Sequence, residues 1–593
     1  MKKLMKFIQY ILILIISFSI VSASNVQSDE IIKAMKDELA RSMKQLKLES
    51  LDKPYYIEYT LRVSKNYSAK AILGALTSNT SNESNILTVG VRVGDYKLDN
   101  TNFFDVGFSF FGSTDDEETF QNREIPDGLN YDVLRHELWL ATDAAYKRNS
   151  EIFAKKLAIL KNIVRKDTIS DFSKIPIKVT IDTINFSNFN LNQYADISTK
   201  ISEIFKNYPS IEVSGVNFEY LPDRIYYVNS EGVEYIKDNY FSGFEATAYT
   251  QNKSGIPLIQ YFSAYSKNPS NLPSIDSLTK GVNAICSNLT KQEQSPTLDE
   301  TYNGPVLFEG QAAAEVFAQS FAPNLVAQRQ PLSEGFSLGM NSKTASFQKK
   351  IGGRVLPEFI SVFDSPNESK YKNSDLLGYY QVDDDGVVPE RTTLVENGFL
   401  KTLLSDRTPI KRVLTSNGHK RNGAPLFSNL FIFPDPMRAT SEKDLKSKFL
   451  DLVKKRDLPY GILITKVVDQ NIFSTSLMSL TYGQISYFAD QGTIPVLEAY
   501  KIYPNGKEEL IRSVQINSLS PQSFKDIIYI GKENYVLNYL APSVVSSFMS
   551  GGDPYIGASI ITPSIVFEDL EINPIDKDSP KPTYIPNPFV KKN

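Results

Sequence analysis

The hydrophobic and polar positions along the chain alternate between a helical and a strand rhythm. Ile32, Met35, Leu39, Met43 and Leu46 recur every three to four residues, which predicts a helix packed by one face. Ser28 stands where an N-cap is wanted, and Asp29 and Glu30 suit the positive end of that helix. Beyond Pro54 the rhythm shortens, and strands are expected at Tyr55–Val63, Ala69–Leu76 and Asn85–Leu98. A polar stretch around Gly112–Gly128 reads as a solvated loop, and helical spacing then covers about Tyr131–Val164.

From Thr168 the pattern restarts with the strand "IPIKVTI", a helix around Ala195–Asn207, and "RIYYVNSEGVEY", two β-runs joined by the turn signal Asn229-Ser230-Glu231-Gly232. A helix is expected at Ser277–Leu289, and the polar Lys291–Asn303 reads as a domain boundary. From Gly304 the chain is mostly strand runs separated by turns, until a proline-rich tail begins at Pro574. The organisation expected is a leader at 1–23, an N-terminal α+β domain at 28–165, and a central α+β domain at 168–290. A strand-rich C-terminal domain at 304–573 and a tail at 574–593 complete it. The fold class is α+β.

Composition narrows the role. At 593 residues the chain is too long for one core, and a net charge of -4 gives no footprint for nucleic acid. Lys2, Lys3 and Lys6 precede the apolar run Phe7–Val21, and small residues end at Ala23: the order of a secretory signal peptide. That run is short for an uncleaved membrane anchor, and no later stretch predicts stable membrane insertion. Export to the periplasm, or secretion, is the expectation. One cysteine, Cys286, allows no internal disulfide, which suits a bacterial exported protein. Its apolar helical setting predicts a buried small side chain.

Candidate chemistry is sparse, because there are only two histidines. His136-Glu137 lacks the second histidine of HExxH, since Leu140 stands there. "QVDDDGVVPE" fails the EF-hand spacing, with Gln381 at the first place and Thr392 at the twelfth, and reads as an acidic turn. "GFSLG" at Gly335–Gly339 lacks the strand and helix of a nucleophile elbow. "TSNGHKRNG" joins the permissive Asn417 and Gly418 to the donors of His419 and Arg421. It is expected to bind substrate or a partner, with a plain solvated hairpin loop as the alternative.

"GPVLFEGQAAAEVFAQ", Gly304–Gln319, turns from a strand into a small-residue helix. With "GYYQVDDDGVVPERTTLVENGFLKTLLSDR", "TSNGHKRNG", "SNLFIFPD" and "GGDPYIGASIITPSIVFEDLEI", it resembles the TldD/PmbA family, the modulator-of-DNA-gyrase peptidases, in the family's own order. The resemblance implies a two-part system. TldD-type chains hold zinc through an HExxxH helix and a cysteine near the C-terminus. PmbA-type (TldE-type) chains lack those ligands and pair with them to cut peptides.

Carried over position by position, the first histidine falls at Phe308, the glutamate at Glu309 and the second histidine at Ala313, while Met549–Gly552 offers no cysteine. The resemblance therefore implies no metal and no confident catalytic residue in this chain, and zinc only in a catalytic partner. A homodimer, or a heterodimer with an HExxxH-bearing relative, and a peptide substrate are the expected partners. A stand-alone peptide-binding or scaffolding protein is the alternative, and an unrecognised peptidase site a third.

Overall fold

The computed structural model describes residues 30–47, 52–104, 123–162, 168–181, 189–333, 346–469, 492–517, 519–542, 555–575, 583 and 585–590. The leader, most of Gly112–Gly128, the segment Gly335–Gly339 and Met549–Gly552 lie outside them.

Helix α1 covers residues 30–45 and buries Ile32, Met35 and Leu39 against Ile57, Tyr59 and Val89 of the first strands. Helix α2, Tyr131–Leu160, starts where the Asn130 side chain accepts from Val133 N–H and adds Leu134 and Leu138 to the same core. The strands beneath are longer than the pattern predicts. Strands β1 (Pro54–Ile72) and β2 (Ala75–Val93) form one continuous hairpin. It turns at Leu73 and Gly74, both with positive φ. The polar residues 64–68 and 78–84 broke the expected pattern. They stay in strand because each pairs across the hairpin, as Ser64 does with Ser84 and Ser68 with Thr80. Ladder bonds are indifferent to side-chain polarity where a sheet face meets water.

Strand β3 (Val179–Ile181) is a short edge, and β4 (Val213–Asn229) and β5 (Glu234–Gln251) are the expected hairpin. Its turn is held by the Asn229 carboxamide, which accepts from Glu231 N–H and Val233 N–H. The sheet runs Arg123–Ile125, β2, β1, β4, β5, β3, and β6 (Pro257–Ser266) also pairs with β5. Helices α3 (Leu191–Glu203) and α4 (Ile275–Gln292) share a core holding Ile201, Val282, Ile285 and Leu289. Cys286 is buried in it, and burial pushes its thiol up to about 12.

The C-terminal half comprises β7 (Tyr302–Phe308), helix α5 (Gly310–Val316), β8 (Ile360–Asp364), β9 (Asn429–Pro434), α6 (Glu442–Lys455), β10 (Gly461–Val467), β11 (Thr493–Ile502), β12 (Val514–Asn517), β13 (Ile527–Pro542) and β14 (Tyr555–Pro574). Strand β14 pairs with both β12 and β7, so β14, β12, β11, β10 and β7 close into a ring. Helix α6 is an element the strand-rich pattern does not show. The Ser441 hydroxyl caps it by accepting from Asp444 N–H, and Leu445, Phe449 and Val453 bury its inner face. Among the described residues no helix is long and apolar enough to cross a membrane. The two halves meet through Tyr249, Ile259 and Tyr261 against Leu377, Val468 and Leu497, and Gln260 donates to the Leu497 carbonyl at 2.8 Å.

Candidate functional site

Helix α5 begins immediately after strand β7, and the transition dictates the local geometry. Glu309 is the N-cap residue in extended conformation, and Gly310 follows with φ +55, a region that glycine enters without strain. Ala312, Ala313 and Ala314 are fully buried, which lets the helix lie close on β10 and β14. After Val316 the helix widens into a π-turn over Phe317–Phe321, then ends in a 3₁₀ turn at Ala322–Asn324.

This corrects the register expected for the missing histidines. Phe308 is the last residue of β7 and Glu309 precedes the helix, so Phe308 and Ala313 belong to different elements. Two ligands five residues apart share a helical face only where the hydrogen bonds close i to i+5. That occurs at Phe317–Ala322, where Ala322 N–H donates to the Phe317 carbonyl. Neither residue carries a metal donor, and the Phe317 ring instead packs on Phe321 and Phe524. Among the described residues no group of three or more His, Cys, Asp or Glu could hold a metal ion. The Glu309 side chain makes no capping bond. Burial raises its carboxyl, with Glu442 and Glu508 adding and Lys446 opposing.

The opposite face of the helix is polar. Gln311, Glu315 and Gln319 are four residues apart and line up. Gln311 Nε2 donates to Tyr261 Oη at 3.0 Å and to Glu315 Oε2 at 3.2 Å, while Gln311 Oε1 accepts from Val467 N–H. Gln319 Nε2 donates to Glu315 Oε1 at 2.9 Å and to the Val468 carbonyl at 2.6 Å. Glu315 is buried. Its carboxyl is raised well above the usual range, first by burial and then by the charge of Asp469, against the two glutamine amides. An uncharged Glu315 can still accept both amide bonds.

Of the three side chains on this face, Gln311 reaches a cleft of about 660 Å³ whose walls include Tyr261–Ser266 of β6 and Tyr535–Asn538 of β13. Each strand is an edge among the described residues: β6 pairs only with β5, and β13 ladders only on β14. Asn538 Nδ2 spans them, donating to the carbonyls of Tyr265 and Asp375. Lys466, Asp469 and Gln311 also line the cleft.

The loop "TSNGHKRNG" lies elsewhere. His419 is fully buried, with Nε2 at 3.1 Å from Asp364 Oδ1 and Nδ1 at 2.9 Å from Asn417 Oδ1. Asn417 holds Ser405 N–H and the Leu403 carbonyl, and the Gly418 carbonyl accepts from Tyr380 Oη at 2.8 Å. Arg421 donates to the carbonyls of Phe427 and Gly557. Three of the four residues expected to contact a substrate or partner are thus scaffold within the chain. Arg421 alone, with Lys420 and Asn422, borders a second cavity of about 470 Å³ between the N-terminal sheet and the C-terminal domain. The residue types suggested recognition, but each donor finds its partner inside the fold.

The acidic turn is also interior. Asp383 and Asp385 are buried, and Asp383 Oδ1 accepts from Asp385 N–H and Val387 N–H. Lys237 Nζ lies 2.9 Å from Asp384 Oδ1, and Lys420 Nζ 2.7 Å from Asp385 Oδ1. The Lys237–Asp384 pair ties β5 of the N-terminal sheet to the C-terminal domain. His136, by contrast, is an exposed helix residue set edge-on to Trp139.

Comparison with known proteins agrees with this architecture. Residues 301–574 match the family model of the PmbA/TldA metallopeptidase C-terminal domain. A stretch of 94 residues is 36% identical to metalloprotease MJ0996 of Methanocaldococcus jannaschii, covering 15% of this chain and 20% of that protein, so the match spans about a fifth of its length. Among solved structures, a candidate modulator of DNA gyrase from Thermotoga maritima superposes with TM-score 0.57 at 15% identity, covering 91% of this chain and 99% of that one. TldE from Thermococcus kodakarensis does so with TM-score 0.55 at 14% identity, covering 91% and 100%. Residues 301–574 thus carry a PmbA/TldA metallopeptidase C-terminal domain, and the fold of the chain is similar to that of these solved structures over nearly its whole length.

Proposed function

We propose that this chain is an exported, non-catalytic, PmbA-like subunit of a TldD-type zinc peptidase complex. Its role there is to hold an extended peptide. One observation carries the reading: at Phe317 and Ala322, the helical turn among the described residues suited to the HExxxH spacing, neither side chain offers a metal donor. Ala318 stands in the place of the glutamate, so no residue there activates water. The helix nevertheless presents Gln311 to a cleft between two strand edges, and strand edges hold an extended peptide through main-chain hydrogen bonds. Export rests on the basic, apolar and small-residue order of residues 1–23.

A mixing experiment tests this. The chain alone should bind no stoichiometric zinc after dialysis and should cleave no peptide. Hydrolysis should appear with an HExxxH-bearing relative from the same organism and vanish with a chelator. Tightly held zinc in the lone chain, or chelator-insensitive cleavage by it, would overturn the proposal. A stand-alone peptide-binding protein is the second reading, favoured by the two strand edges that face each other across the cleft. A monomer that binds peptide and co-purifies with no relative would select it.

A further inference from the structure

Lys466 stands on the wall of the cleft between β6 and β13, and its surroundings are unusual for a cation. Its ammonium donates to the Tyr261 carbonyl and sits 4.2 Å from the centre of the Tyr261 ring. No ion pair among the described residues includes it. Its partner across the ladder is Glu498, the natural counter-ion, but the Glu498 carboxylate is engaged by Tyr500 Oη at 2.6 Å and by the Asn288 amide. Removal from bulk water lowers the ammonium to about 8, with only Glu498 opposing. At neutral pH Lys466 is therefore a charged, partly buried donor on the cavity wall, and the carboxylate across the ladder from it, Glu498, is held by other donors. A partly desolvated charge without an ion pair is costly, and an incoming anion recovers part of that cost.

The other walls limit which anion fits. Asp469 and Asp375 also line the cleft, and Asp469 lies near enough to Glu315 to raise its carboxyl. A polyanion would meet these acids. A single carboxylate on an otherwise neutral chain would not, and the Gln311 amide and the two strand edges supply bonds for the rest of it.

We infer that Lys466 receives a carboxylate of the peptide held in the cleft, most simply the C-terminal carboxylate, and so fixes the direction and end of the bound chain. This rests on the proposed peptide-holding role. It goes further by naming the feature of the peptide that is recognised.

The test uses the mature full-length chain and a dansyl-labelled decapeptide of Ala, Ser, Thr and Val, made as the free acid and as the C-terminal amide. A third peptide is the amide with one internal Glu. At pH 7 the free acid should bind roughly ten- to a hundredfold more tightly than the amide, the worth of a charge-assisted hydrogen bond. The ratio should fall toward one as the pH rises from about 8, where Lys466 loses its proton. Tyr261, raised well above the usual tyrosine range by burial, stays neutral over that interval. Lys466→Met should abolish the ratio and Lys466→Arg should keep it.

Selective binding of the internal-Glu amide would support the same Lys466 contact with a side-chain carboxylate. Equal binding of all three peptides by the unaltered protein would overturn the inference while leaving the peptide-holding role intact. Failure to bind any of them would overturn both.

Discussion

His419 Nε2 lies 3.1 Å from Asp364 Oδ1, and neither side chain is exposed. Asp364 also accepts from Ser428 N–H at 2.8 Å, so the pair joins the end of β8 to the loop before β9. Removing the imidazole leaves a buried carboxylate short of a donor, which costs several kcal/mol. His419→Ala should lower the unfolding free energy by about 2–4 kcal/mol, read from urea denaturation. A loss under about 0.5 kcal/mol, the range of ordinary surface substitutions, would show that the pair is dispensable.

Gly418 should tolerate no side chain. Its φ is +78, and an added Cβ would sit 2.6 Å from Pro389 Cα. Gly418→Ala should cost about 2 kcal/mol or more from the backbone conformation and the clash together. Thermal melts would check it. Gly506, also at positive φ but with open space around it, serves as a control in which only the conformational part is lost.

Glu315 should make stability depend on pH with a definite sign. Its carboxyl is raised in the fold by burial and by Asp469, so the folded state holds a proton that the unfolded chain releases above the ordinary glutamate value. Stability from this group is present at low pH and is lost as the pH rises above about 4.3 toward its elevated folded value. Glu315→Gln removes the dependence and keeps a carbonyl to accept at least one of the amide bonds. The variant should gain on the parent in melting temperature between pH 5 and pH 8. A difference that does not change with pH would contradict the assignment.

The mature protein should begin near Ser24, as the leader pattern predicts. N-terminal sequencing of material from the native host reads this directly, and a retained Met1 in a membrane fraction would contradict it.

Much of the fold follows from local pattern. The hairpin turn at Asn229–Gly232 and the amphipathic α1 and α4 stand where periodicity and turn chemistry put them. The polar arm of β1 and β2 was not legible, because pairing rather than alternation keeps residues 64–68 in strand. Nor was the interior position of Asp383 and Asp385, or the pairing of Asp384 with Lys237 from a strand far earlier in the chain. A run of three acids looks solvated until the cation that buries it is known. At the helix after β7 the register was not legible. A π-turn leaves no signature in the order of small and aromatic residues, and it shifts every side chain beyond Val316 around the axis.

The Asn538 bridge between the two strand edges has a thermodynamic consequence. The walls of the cleft belong to two sheets, β6 to the N-terminal one and β13 to the C-terminal one, joined beside it by the cluster of Ile259 and Tyr261 with Val468 and Leu497. Anything that lies along both edges welds the two bodies together. An occupied cleft would add to the coupling that this cluster already supplies and sharpen their common melting, so the width of a calorimetric peak reports whether the chain is loaded.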